Sequence, residues 1–302
     1  MKKKIKENSI FFIILLFLLS LFLFNVYKYM SNANNLKKRD LEIREECKKE
    51  IIKNPEKKQY CMEVKNAPKY KIDFYSMFFS TFTQGYFYYL TYIMFLIVVI
   101  PTILKVTRFF KNNMFKNYLT RQSYKKTICK LFLSASKSVF ILPVLTFIAF
   151  IVCYICTGNF DFKYALEGNY VTWSENSMTN PLIFTSIYIL KIFLISILYT
   201  NIALCVCKKN HNFFAATIIS YLVFLGLEIF LEVGCNMIIF NIILKSNFGT
   251  ILNILSIFSL FDYYGLFYSI LVPTIFVIIS IVILYLIYVK KEQVIIECEK
   301  NE

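Results

Sequence analysis

Long apolar runs separated by clusters of Lys and Arg set the pattern of this chain from its first residues. A helix rises about 1.5 Å per residue and bilayer hydrocarbon is roughly 30 Å thick, so about 20 apolar residues mark a crossing. Six stretches meet that standard: residues 10–27, 86–106, 138–157, 181–206, 212–234 and 268–289. The second has an aromatic lead-in from Phe74. A further apolar stretch, Cys235 to Phe267, is interrupted by Lys245, Asn247, Gly249, Asn253 and Asp262. It is expected to form a re-entrant or interfacial hairpin on the outer side, because irregular backbone at membrane depth must be covered by protein or water. The pattern predicts an all-α integral membrane protein: a single transmembrane domain over 1–302, with six transmembrane helices and the outer hairpin before the last.

Two polar stretches are long enough to matter. Residues 28–73 form an outer loop punctuated by Pro55 and Pro68, with a charged stretch from Leu36 to Lys53 that suits a helix. Residues 107–137 form an inner loop. Sidedness follows the Lys and Arg bias of the loops. With both ends inside (N-in/C-in), the inner parts hold 18 Lys and Arg and the outer parts 15. The outer loop also carries eight acids, whereas Phe74 to Phe160 carries none. The first span has a basic start and a small-residue stretch at Ser31 to Ala33. Its apolar run is 18 residues long and Lys28 intervenes, so an uncleaved anchor is expected rather than a signal peptide.

Composition agrees with this picture. The 302 residues are 58% hydrophobic and 18% charged, and the mean hydropathy is +0.57. A soluble domain has about 45–50% apolar and 25% charged residues, so a soluble enzyme and a disordered chain are both excluded. The net charge of +15 sits between apolar runs. That is the signature of membrane flanks, not of a nucleic-acid groove, and no nucleic-acid partner is expected.

Several chemistries are missing. His211 is the single histidine, so zinc sites with two or more His ligands are excluded. None of the seven glycines is followed by Lys-Ser or Lys-Thr, so there is no phosphate-binding P-loop. No Gly-x-Ser-x-Gly elbow occurs either. No catalytic residue, metal site or cofactor is expected on this chain. His211 itself follows Lys208 and Lys209 in an inner turn and is expected to be a solvated loop residue. Trp173, beside Tyr170, fits an outer aromatic belt. Cys153 with Cys156, and Cys205 with Cys207, are expected to be small packing residues. Cys47 and Cys61 both lie on the outer loop, where a disulfide is permitted. It would close about 15 residues, worth roughly 3 kcal/mol; two separate thiols are the alternative.

Charges inside the spans are costly and usually functional. Lys191 lies ten residues into the fourth span. Glu228 and Glu232 sit four apart near the outer end of the fifth, on one helical face. Lys191 and Glu228 are placed to pair between helices as a lock on an outer gate. The alternative is that both Glu reach outer water and Lys191 snorkels or meets a subunit interface.

The inner loop carries the most specific sequence. Tyr124, Ile128, Leu131 and Ala135 recur at helical spacing and make one apolar stripe, with Lys126, Lys130 and Lys137 elsewhere on the surface. This is a basic amphipathic helix, suited either to anionic lipid or to a cytoplasmic partner. Leu119-Thr120-Arg121, followed by Lys125-Lys126 and Lys130 ahead of a span, resembles the cytoplasmic loop of ABC-2-type transporter permeases. The stretch from Leu255 to Tyr264 resembles the aromatic segment that this family places before its last span. The family's acid and glycine before Leu-Thr-Arg have no counterpart in Arg108 to Lys116.

The resemblance implies the permease half of an ATP-driven exporter, working by alternating access on peptides, drugs or lipid-like substrates. It implies a separate ABC ATPase subunit, which holds the ATP and Mg. It also implies a second permease, as homodimer or heterodimer, in a cell membrane. Leu119, Thr120, Arg121, Tyr124, Lys125, Lys126, Ile128 and Lys130 are then the coupling residues. The reading from another class is a non-transporting accessory or immunity protein that binds a partner through residues 28–73.

Overall fold

The computed structural model describes residues 2–53, 58–66, 72, 74, 77–78, 81, 93–111, 114–158, 181–245, 252 and 266–289. Among the described residues all regular structure is helical. The elements are α1 (Lys2–Lys53), α2 (Lys58–Asn66), α3 (Met94–Lys111), α4 (Met114–Leu119), α5 (Tyr124–Ala135), α6 (Ile141–Thr157), α7 (Pro181–Lys209), α8 (Phe213–Ile229) and α9 (Leu266–Tyr288). Five segments are long and apolar enough to cross a membrane: Phe12–Lys49, Tyr124–Thr157, Thr185–Lys209, Phe213–Ile243 and Ile270–Tyr288. They coincide with the first, third, fourth, fifth and sixth predicted spans. For the second, α3 supplies 18 residues with Lys105, Arg108 and Lys111 in its final turns, and residues 86–92 lie outside the described residues.

Local chemistry explains most of the boundaries. α7 opens on Pro181, whose fixed φ and missing N–H suit a first helical position. α6 ends at Gly158, whose φ of 72° is a left-handed conformation that glycine adopts without strain. The Gly158 N–H still reaches the Tyr154 carbonyl at 2.8 Å. Asn212 caps α8, its side chain accepting from the Phe214 N–H at 3.0 Å. Between α5 and α6 the chain tightens into a 3₁₀ turn, Ser136–Phe140. Pro143 lies just beyond it; its ring clashes with the carbonyl four residues back, which disfavours ordinary α winding here.

Two expectations change. The helix expected over Leu36 to Lys53 is present, but it is not separate from the first span: α1 runs unbroken for 52 residues to Lys53. Neither Pro nor Gly occurs before Pro55, and Asp40 pairs with Arg44 one turn on, at 3.0 Å. The fifth span likewise does not stop at Gly234. It continues through Phe230–Ile243 with wider winding, in which N–H groups reach five residues back, as from Leu244 to Ile239 at 2.9 Å. The first limb of the expected hairpin is therefore a continuation of the span. The segment ends at Lys245, which takes φ 47°, a strained backbone for a residue with a Cβ. Of the remaining hairpin only residues 252 and 266–267 are described, so its aromatic segment from Leu255 to Tyr264 lies outside the described residues.

The chain divides into two compact units. In the first (Met1–Leu19, Tyr88–Ile148, Val171–Glu302), α7 is the central helix, packed against α9, α3, α8 and the 3₁₀ turn. Its core is aromatic: Phe95 stacks on Phe224 at 4.6 Å, and Tyr199 meets both edge-on at 5.0 and 5.2 Å. The second unit (Ser20–Phe87, Ala149–Tyr170) holds an aromatic cluster of Phe74, Phe78 and Phe150. There Asn25 also donates to the Thr81 carbonyl at 3.4 Å.

Candidate functional site

Residues 114–135 fold as a hairpin of α4 and α5 seated on the basic end of the first unit. α5 turns Thr127, Ile128, Leu131 and Ala135 inward. The predicted apolar stripe is therefore covered by protein. Tyr124, at its edge, is half-buried, and its hydroxyl donates to the Tyr288 carbonyl at 2.6 Å. That carbonyl belongs to the last turn of α9, which has no helical partner of its own. The Tyr288 hydroxyl in turn donates to the Leu204 carbonyl of α7 at 2.8 Å, and its ring meets Phe132 edge-on at 5.1 Å. The start of α5, the end of α9 and the last turns of α7 are thus joined by two consecutive tyrosine hydrogen bonds.

The hairpin is also held from the α3 side. The Lys105 ammonium donates to the Ser134 carbonyl at 2.7 Å, where the winding begins to tighten. Thr102 and Ser138 share a short hydrogen bond. Phe109, Phe110, Phe115 and Tyr118 form a ring cluster around the α3–α4 corner. His211 completes it, stacked on Phe110 at 4.9 Å with its Nε2 3.1 Å from the Lys208 carbonyl. His211 is only 4% exposed. This corrects its expected place as a solvated loop residue: an imidazole beside an aromatic cluster gains more from stacking than from water.

With the inner face covered, the predicted coupling residues separate into two groups. Thr120, Arg121, Lys125, Lys126 and Lys130 are exposed, whereas Leu119 is half-buried and Ile128 is buried. The tip therefore presents cations on a base packed against α3 and tied to α9.

The intramembrane charges also separate. Lys191 and Glu228 are buried at 7% and 3% exposure, both in the first unit. Glu228 lies one turn beyond Phe224, within electrostatic range of the Tyr199 hydroxyl. Lys191 stands 18 residues before the end of α7 and Glu228 15 residues after the start of α8. In antiparallel helices that places them about 5 Å apart in depth. Glu232 does not share their surroundings and is exposed. Asn201, also on α7, donates to the Ser280 hydroxyl of α9 at 2.8 Å.

Cys47 and Cys61 are both buried, as thiols rather than a disulfide. Cys153 and Cys207 are buried packing residues, while Cys156 is exposed and Cys205 half-buried. Trp173 and Tyr170 lie outside the described residues. Among the described residues no group of three or more His, Cys, Asp or Glu side chains is arranged to hold a metal ion.

Sequence reasoning missed Tyr288, Lys105 and Ser138, which fix the hairpin. Only their position near span ends signalled them, and a tyrosine there reads first as an interfacial anchor.

Comparison with protein families, with curated proteins and with solved structures returns no match.

Proposed function

We propose that the chain is the membrane-embedded permease subunit of an ATP-driven exporter of the ABC-2 type, docked by a separate ATPase at the α4–α5 hairpin. One observation carries the reading: the hairpin is fixed to α3, α7 and α9, yet leaves Thr120, Arg121, Lys125 and Lys126 exposed at its tip. A mobile loop would absorb a push from a partner. A loop whose apolar side is packed into the bundle passes the push to the helices it touches.

In this reading six spans cross the membrane and both ends lie in the cytosol. ATP and Mg bind the partner, and closure of two ATPase subunits drives the hairpin against α7 and α9. Two permease copies, like or unlike, enclose the pathway. Lys191 and Glu228 contribute to a lock near the outer gate, and Glu232 faces away from it. The cargo class is a peptide, drug or lipid-like molecule, and no bond in it is made or broken by this chain.

The accessory or immunity reading draws on the exposed apolar side chains Leu36, Leu41, Ile43, Tyr60 and Met62 of α1 and α2. Co-purification separates the two. Extracted in mild detergent, the chain is expected to bring down an ATPase, and Arg121→Ala/Lys125→Ala to weaken that association about tenfold. Absence of any ATPase, or unchanged association in the variant, would refute the transporter reading.

A further inference from the structure

The exposed side of α5 does not end with α5. Lys126, Lys130, Leu133, Lys137, Phe140, Val144 and Phe147 follow one another at intervals of three and four residues, and all are exposed. They make one stripe along the segment Tyr124–Thr157, which is continuous and helical throughout. The stripe changes character along its length. Its first part is cationic, and from Phe140 it is apolar on a segment apolar enough to cross a membrane. Leu133, 66% exposed between Lys130 and Lys137, is an apolar side chain within the cationic part.

We infer that this stripe is a binding surface for anionic phospholipid, with Lys130 and Lys137 on the headgroups and Phe140, Val144 and Phe147 on the acyl chains. Charge complementarity and continuity carry the assignment: cations adjoin the lipid-facing positions on the same side of the same segment. The depths agree. Lys137 lies one turn outside Phe140, and Lys130 is roughly 10 Å further out at about 1.5 Å per residue. The headgroup layer is roughly 5–8 Å thick and the Debye length adds about 8 Å at physiological ionic strength. Lys126, roughly 16 Å from Lys137, lies at the edge of that field.

The stripe meets the tip proposed above only at Lys126, and its headgroup residues Lys130 and Lys137 lie outside the tip. Arg121 precedes α5, and Lys125 leaves the helix on a different side, about 100° from Lys126 at 3.6 residues per turn. The lipid surface therefore stands whether or not an ATPase binds the tip. Near a charged surface each lysine raises affinity about fivefold, so two raise it more than tenfold.

The test uses the full chain in nanodiscs of phosphatidylcholine with a minority of phosphatidylglycerol, followed by native mass spectrometry of the lipid retained after mild extraction. The native protein is expected to retain phosphatidylglycerol preferentially. Lys130→Gln/Lys137→Gln lowers that preference at least tenfold, Lys130→Arg/Lys137→Arg restores it, and Arg121→Gln/Lys125→Gln leaves it intact. Equal retention of the two lipids by the native protein overturns the assignment, and that arm needs no variant to fold. An undiminished preference in Lys130→Gln/Lys137→Gln, or an equal loss in Arg121→Gln/Lys125→Gln, overturns it as well. So does loss of a bound protein, with lipid retained, in Lys130→Gln/Lys137→Gln.

Discussion

Tyr288 shows how much one side chain does at the basic end of the first unit. Its hydroxyl serves α7, its carbonyl serves Tyr124 and its ring packs on Phe132. Removing the hydroxyl alone forfeits one hydrogen bond between helices, worth about 1 kcal/mol. Truncating the ring also removes packing and leaves a cavity, about 3 kcal/mol or more. Tyr288→Phe is therefore expected to melt slightly below the native protein in detergent, and Tyr288→Ala well below both. Equal melting points for the two variants would show that the ring does not pack as described. Glu228 and Glu232 make the complementary point. Four residues apart, they were assigned one face by helical spacing, yet one is buried and the other exposed. No local pattern in the sequence announces where the protein cover of that face ends.

At the scale of elements, α1 joins the expected first span and the expected charged helix into one. Its apolar half and its charged half form a single rod because nothing between Lys2 and Lys53 interrupts the hydrogen-bond ladder. The Asp40–Arg44 pair adds only about 0.3–0.5 kcal/mol, so continuity rests on the absence of Pro and Gly and on packing. Nitroxide labels carried on unnatural amino acids at positions 28 and 49 are expected about 31 Å apart with a narrow spread, 21 residues at 1.5 Å each. A broad distribution centred near 25 Å, as for a flexible chain of that length, would restore the loop. The α5–α6 junction carries a local mark that the sequence reading did not use. Pro143 marks it in the sequence, and the neighbouring turn tightens as a proline requires. The partner that secures it, Lys105, comes from 29 residues earlier in the chain, and no local pattern points to it.

For the whole molecule, the expected sidedness rests on a charge bias counted over loops. If six spans cross, a fluorescent reporter inserted after Gln122 and one fused after residue 302 both report the cytosolic side, and a phosphatase at either place is inactive. An active phosphatase at both places would mean that one segment rather than two crosses before Gln122, and α3 would then not cross. The bundle itself is organised around α7. Its aromatic core with α3 and α8 and its polar contact with α9 through Asn201 join helices far apart in sequence. Hydrogen bonds of that kind contribute about 0.6 kcal/mol each in membranes, so they set which helix faces which more than how strongly they hold.

The sequence by itself determined that the chain is helical and suited to a bilayer, because hydrocarbon thickness and backbone hydrogen bonding act on consecutive residues and leave a mark in every window of twenty. It also determined which face of α5 is apolar, since that periodicity is local too. Only the tertiary structure decided what covers that face, where Tyr124 and His211 point, and that Lys191 and Glu228 are buried while Glu232 is not. Those outcomes depend on neighbours dozens of residues away, and the composition of an apolar helix is nearly the same all round, so the sequence holds little record of which side meets protein and which meets lipid.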